Sequence, residues 1–133
     1  MPSWKPIGEP YAFKFGPVTA FHASRDGSLF LAGTSSEIVI WRTSDWTILG
    51  TFTGLNEICC AAFHALDSEI LAVAVSSSYT TIVIHFIRWK TGETIASHTS
   101  EGEGRARTVA FTSDGAHLLV NRDSLEIWAL SAP

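Results

Sequence analysis

The sequence predicts an all-β chain assembled from a repeated antiparallel sheet unit. Three observations predict it. Short runs rich in Val, Ile, Phe, Thr and Trp recur along the chain, the residues that fit a pleated, packed surface. Asp26-Gly27 and Asp114-Gly115 are turn dipeptides set between two such runs. No window sustains the i, i+3, i+4, i+7 apolar spacing of a helix.

The elements follow in order. A first segment runs from Val18 through Phe21 and His22 to Asp26-Gly27, then Leu29 to Gly33, then Glu37 to Trp41. A second runs from Ile58 through Cys59, Cys60, Phe63 and His64 to Asp67, then Ile70 to Val75, then Ile82 to Trp89. A third runs from Arg107 through Phe111 to Asp114-Gly115, then His117 to Val120, then Leu125 to Trp128. Phe21, Phe63 and Phe111 are 42 and 48 residues apart, and Trp41, Trp89 and Trp128 are 48 and 39 apart. A period of about 40–45 residues is that of a four-stranded β-propeller blade. The longer interval is ascribed to an extended connection around Ser76–Thr81 in the second unit.

The fold expected is therefore one domain over residues 1–133, a partial β-propeller of three four-stranded antiparallel blades. Blade one spans about residues 18–52, blade two about 58–99 and blade three about 106–130. Blade three has no fourth strand of its own in this scheme, and residues 5–13 form a spare strand that completes blade three of a neighbouring copy. A three-blade arc leaves apolar faces and strand edges bare, and identical copies joined head to tail would cover them. Two copies give six blades, within the usual range, and are favoured over three copies with nine. An array fragment is the competing explanation of the blade count.

Composition bounds the function. Hydrophobic residues make up 46% and charged residues 17%, enough apolar material for a core. The net charge is -4 and the nine Lys and Arg form no run, which disfavours nucleic acid as a partner. No stretch reaches the roughly 20 apolar residues of a membrane span, and the first residues carry no secretory apolar core, so a cytoplasmic protein with no membrane partner is expected. Cys59 and Cys60 are adjacent, point to opposite faces of a strand, and are too few for a zinc site.

The Phe, Asp-Gly and Ile-Val-Ile-Trp marks of the first unit, repeated as Phe111, Asp114-Gly115 and Leu-Glu-Ile-Trp in the third, resemble the WD-repeat family. Residues 6–10 and 16–19 look like a blade junction of fungal WD-repeat arrays, which often follow a nucleotide-binding domain in large intracellular receptors. The resemblance implies a β-propeller with Phe21, Phe63, Phe111, Trp41, Trp89 and Trp128 as structural blade residues. It also implies a buried set of His, Ser or Thr, Asp and Trp. That set is incomplete here: Arg42, Lys90 and Ala129 follow the tryptophans in place of Asp, and the Gly-His pair between blades is missing. Apolar packing should then carry more of the stability.

No catalytic, cofactor or metal site is expected. His22 and His64 recur at one repeat position, where a local hydrogen bond is expected rather than a metal, and His85, His98 and His117 follow no ligand spacing. Ser35-Ser36 and Ser76-Ser77-Ser78 lack a nucleophile motif. Asp26, Asp67 and Asp114 are accounted for by turns. Glu101-Gly102-Glu103-Gly104 is the wrong sign for phosphate. The function expected is a non-catalytic protein-interaction scaffold, its partner bound by loops at one end of the blades. Phe15, Tyr79, Arg105 and Arg122 are the candidate partner-binding residues. An oligomeric sugar-binding propeller is the alternative, with Trp4, Tyr11, Trp46 and Tyr79 as the aromatics outside the repeat marks.

Overall fold

The structure is a computed structural model that describes residues 3–14, 16–78, 80–102 and 104–129. The described residues form three antiparallel sheets. The first contains β1 (Ala20–Ala23), β2 (Leu29–Gly33), β3 (Glu37–Arg42) and β4 (Thr47–Thr53) in sequence order. The second contains β5 (Ile58–Phe63), β6 (Ile70–Ser76), β7 (Thr81–Arg88) and β8 (Glu93–Glu101). The third contains β9 (Thr108–Phe111), β10 (His117–Asn121) and β11 (Leu125–Ala129).

Within one chain the described residues thus form two four-stranded sheets and one of three strands, and no fourth strand joins the third sheet among them. Residues 3–14 belong to no strand of the described sheets, and Tyr11 and Phe13 lie against Trp41 of the first sheet.

The hairpins form as the turn chemistry demands. Asp26 accepts the Ser28 N–H at 3.0 Å, and Asp114 accepts the Ala116 N–H at 3.0 Å. Asp67 accepts the Glu69 N–H at 3.1 Å in the second sheet, which has no Gly in that turn. These carboxylates close small side-chain turns that set the strand register. The hydrogen bonds hold the carboxyls of Asp26, from the Ser28 N–H foremost, and of Asp114, from the Thr112 hydroxyl foremost, below the usual range.

The middle sheet is buried on both faces. Toward the first sheet it presents Phe63, Leu71, Val73 and Ile87, packed with Leu31, Ile38 and Ile40. Toward the third it presents Cys60, Ala62, Ala72, Ala74, Ile84 and Phe86, packed with Val109, Leu118 and Val120. The period of two along β6 explains why its residues are apolar without alternation: both sides meet a neighbour. Each large side chain buried this way is worth about 1.5–3 kcal/mol.

Hydrogen-bond register corrects the sequence alignment of the repeats. Ser24, His64 and Thr112 each donate a backbone N–H to the first residue of the next strand, Leu29, Ile70 and His117, at 2.9, 2.8 and 3.0 Å. The residues before them, Ala23, Phe63 and Phe111, are therefore equivalent. Phe21 aligns instead with Ala61 and Val109, on the same face one rung earlier. Trp41 pairs with Phe30, Ile87 with Leu71 and Trp128 with Leu118, so Trp89 stands two residues past the equivalent position. The irregular Phe and Trp spacings reflect these one-rung slips, as well as the longer second-to-third strand connection of the second sheet.

Candidate functional site

In each sheet the face bearing these aligned residues turns toward the sheet before it. In the second and third sheets that face is covered: Ala61 and Val109 are 4% and 2% exposed. In the first sheet no described sheet precedes it, and Phe21, at the same rung, is 73% exposed. The far face of the third sheet is equally bare, with Leu125 at 61% and Ile127 at 65%. The arc therefore ends in two apolar faces of opposite hand.

The segment before each sheet packs on an aromatic on, or just past the end of, its third strand. Gly50 on β4 lies under the Trp89 ring, where an added Cβ would stand 3.2 Å from the indole. His98 on β8 sits edge-on to Trp128 at 6.2 Å between ring centroids. Tyr11 meets Trp41 edge-on at 5.3 Å, and Phe13 meets it at 6.4 Å. The N-terminal segment thus occupies, on the first sheet, the place that an outer strand of a preceding sheet occupies on the other two.

The first strands of the three sheets run side by side, β1 beside β5 and β5 beside β9. Where they begin, Thr19, Ile58, Cys59, Arg105, Arg107 and Asp123 line a cavity of about 390 Å³. Arg105 reaches Glu57 at 3.6 Å and Cys59 Sγ at 3.6 Å, and Arg107 reaches Asp123 at 3.7 Å. Both arginines remain more than half exposed. Pairs of this kind, open to water, contribute little to stability and leave their charges available. Cys60, one residue on, points the other way; burial, with the neighbouring Cys59 thiol, pushes its own thiol up to about 12, so it is inert packing.

Arg105 is thus open to solvent. Arg122 is not, which corrects its placement on an open loop. It is 3% exposed, and its guanidinium donates to Gly104 O at 3.0 Å, Gly102 O at 2.8 Å and Ser100 Oγ at 2.9 Å. Ser100 and the Trp128 indole N–H donate to Glu126 at 2.8 and 3.0 Å. Burial alone would raise the Glu126 carboxyl, but these bonds and the Arg122 charge hold it below its usual range. The set joins the second sheet to the third. A buried Arg among backbone carbonyls leaves no sequence signal that separates it from a surface one. Phe15 and Tyr79 lie outside the described residues.

His22 lies between the first two sheets, on the opposite side of β1 from Phe21, and its Nδ1 accepts the Phe63 N–H at 3.2 Å. His64 Nδ1 accepts the Leu66 and Asp67 N–H groups at 3.1 and 3.2 Å. The His64 bonds are local, whereas the His22 bond crosses from the first sheet to the second, and among the described residues no three potential metal ligands converge. His85 bonds Ser97 at 2.7 Å and His98 meets Trp128 edge-on.

One grouping carries no local sequence signal. Tyr11, Phe30, Trp41 and Trp46 line a cleft of about 650 Å³ between the N-terminal segment and the first sheet, with Lys5, Glu9 and Pro10 also in its wall. Tyr11 and Trp46 stand out in the sequence as aromatics outside the repeat, but only folding brings them to one cleft.

No family model matches the sequence, and no curated protein matches it. Among solved structures, 562 chains match the backbone, so the arrangement is widely shared and says little about function. Hsv2 of Kluyvelomyces marxianus, a yeast β-propeller protein, superposes with a TM-score of 0.66 over 88% of this chain at 12% identity. The match covers 34% of that protein, so this chain spans about a third of its length. At that identity the likeness shows the fold: the three sheets are arranged as in a β-propeller.

Proposed function

We propose that the chain is a non-catalytic protein-interaction scaffold of the WD-repeat kind, acting in the cytoplasm, whose arc closes into a full propeller with further copies of itself. One observation carries the reading: Phe21 is 73% exposed at a rung where Ala61 and Val109 are buried by the preceding sheet. A face made for inter-sheet packing and left bare is completed by another sheet of the same kind. The third sheet of a second copy has the matching bare face, and among the described residues no strand pairs with β11 on its outer side. The position of Tyr11 and Phe13 on Trp41 supports residues 5–13 as the fourth strand of that incoming sheet. Two copies, with six sheets of this kind, fit the common propeller sizes; three copies would give nine. The loops around Glu57, Arg105 and Asp123 would then repeat around the ring mouth and present a multivalent face to a partner protein.

Light scattering tests the assembly. The expected solution mass is twice the 14.4 kDa of one chain, with three times as the other closed form. A stable monomer would remove self-closure. Capture of partners from cell extract, repeated with Arg105, Phe15 and Tyr79 changed to Ala, tests the loops as the binding face; an unchanged set of captured proteins would remove them.

A further inference from the structure

The turns joining the third and fourth strands of the first two sheets are equivalent. Trp46 donates its backbone N–H to Arg42 O at 2.7 Å, and Gly92 donates its own to Arg88 O at 2.9 Å, each closing the turn from four residues back. Both residues are left-handed, with φ of 57° and 77°. Glycine takes that conformation without steric cost, and a bulky aromatic does not. The second sheet uses the residue the backbone favours, while the first holds a tryptophan there. That tryptophan is not spent on the core: it is 47% exposed, edge-on to Phe30 at 6.1 Å, in the wall of the 650 Å³ cleft. Strain that the packing does not explain points to a task for the ring.

We propose that this cleft binds a neutral carbohydrate, with Trp46 and Tyr11 as the stacking residues. The lining chemistry selects the ligand. Aromatic rings offer broad apolar faces, which suit the C–H face of a sugar ring. Lys5 brings donors and Glu9 brings acceptors, and hydroxyl groups need both. One cation and one anion cancel, so neither a charged phosphate nor an ammonium ligand is preferred. Tyr11 is 49% exposed, so both stacking rings are open to solvent. The cleft volume falls in the range of small-ligand pockets, about 300–1,000 Å³. Closure of the ring is not required, because every lining residue belongs to one chain.

The test is retention of the full chain on an array of neutral glycans, followed by titration of the retained sugar against tryptophan fluorescence. Saturable binding is expected. Trp46→Gly should weaken it by on the order of tenfold or more, while leaving the melting temperature unchanged or higher, because Gly relieves the left-handed turn. Tyr11→Ser, outside every strand, should weaken binding as well. No retained sugar overturns the proposal, as does full binding in both variants. A Trp46→Gly variant that melts lower and binds normally would assign the ring to packing alone. Retention of a proline-rich peptide in place of any sugar would assign the cleft to a different ligand and overturn this one.

Discussion

Arg122 Nη2 donates to Gly102 O at 2.8 Å, tying the turn between β10 and β11 to the chain just after β8. The second and third sheets are thus joined by one buried guanidinium as well as by apolar packing. Arg122→Ala would remove the donors of Gly102 O, Gly104 O and Ser100 Oγ and the charge beside Glu126. A loss of about 2–4 kcal/mol in urea unfolding is expected. Arg122→Lys should recover only part of it, since an ammonium cannot reach the same fork of acceptors. A loss under about 0.5 kcal/mol, the level of an ordinary surface change, would contradict the role.

Gly50 and Trp89 set the spacing of the first two sheets. A Cβ at Gly50 would meet the indole at 3.2 Å, on backbone that cannot retreat without opening the sheet contact. Gly50→Val should cost about 1–3 kcal/mol through overpacking. Trp89, 8% exposed and bonded through its indole N–H to Ser68 O at 2.8 Å, should cost about 3–5 kcal/mol when changed to Ala. Thermal melts of both variants measure this.

Acid should loosen the junction at His22. Burial holds its imidazole below the ordinary histidine value, and its Nδ1 is occupied as an acceptor of the Phe63 N–H. The unfolded chain therefore takes the proton more readily than the folded one. Stability from the neutral ring is complete above about pH 6.5 and is lost as pH falls through the lowered value. Burial moves His85 in the same direction, so both histidines act with one sign. The urea midpoint should hold steady from about pH 8 to 7 and decline below about 6.5. His22→Gln, whose amide oxygen can accept the same bond, should flatten the decline. A midpoint that rises on acidification would contradict the assignment.

Phe21 separates assembly from folding. At 73% exposure, its change to Glu should alter unfolding of the separate chain by no more than about 0.5 kcal/mol. The same change places a charge in the middle of the proposed contact between copies. Sedimentation should then show the mass of one chain where the unaltered protein shows a multiple. Equal masses for the two would remove this face from any interface.

The strands, the hairpin turns and the repeated sheet unit were legible in the sequence because they rest on local rules. Side chains alternate with a period of two, Asp and Gly satisfy turn geometry within four residues, and β-branched runs fit a pleat. The alignment of the repeats was legible only to within one rung. Phe21 and Trp89 lie on the right faces but two residues from their apparent equivalents, and a shift of two leaves the alternation unchanged. What no local rule contains is which side chain ends beside which across the fold. Arg122 is a buried strut and Arg105 an exposed cation, although both sit in polar loops, because only one of the loops folds over backbone carbonyls. Tyr11 and Trp46, thirty-five residues apart, share a cleft because the N-terminal segment lies over the first sheet. Sequence determined the sheets by short-range geometry; their faces, their buried charge and the cleft were decided by long-range packing.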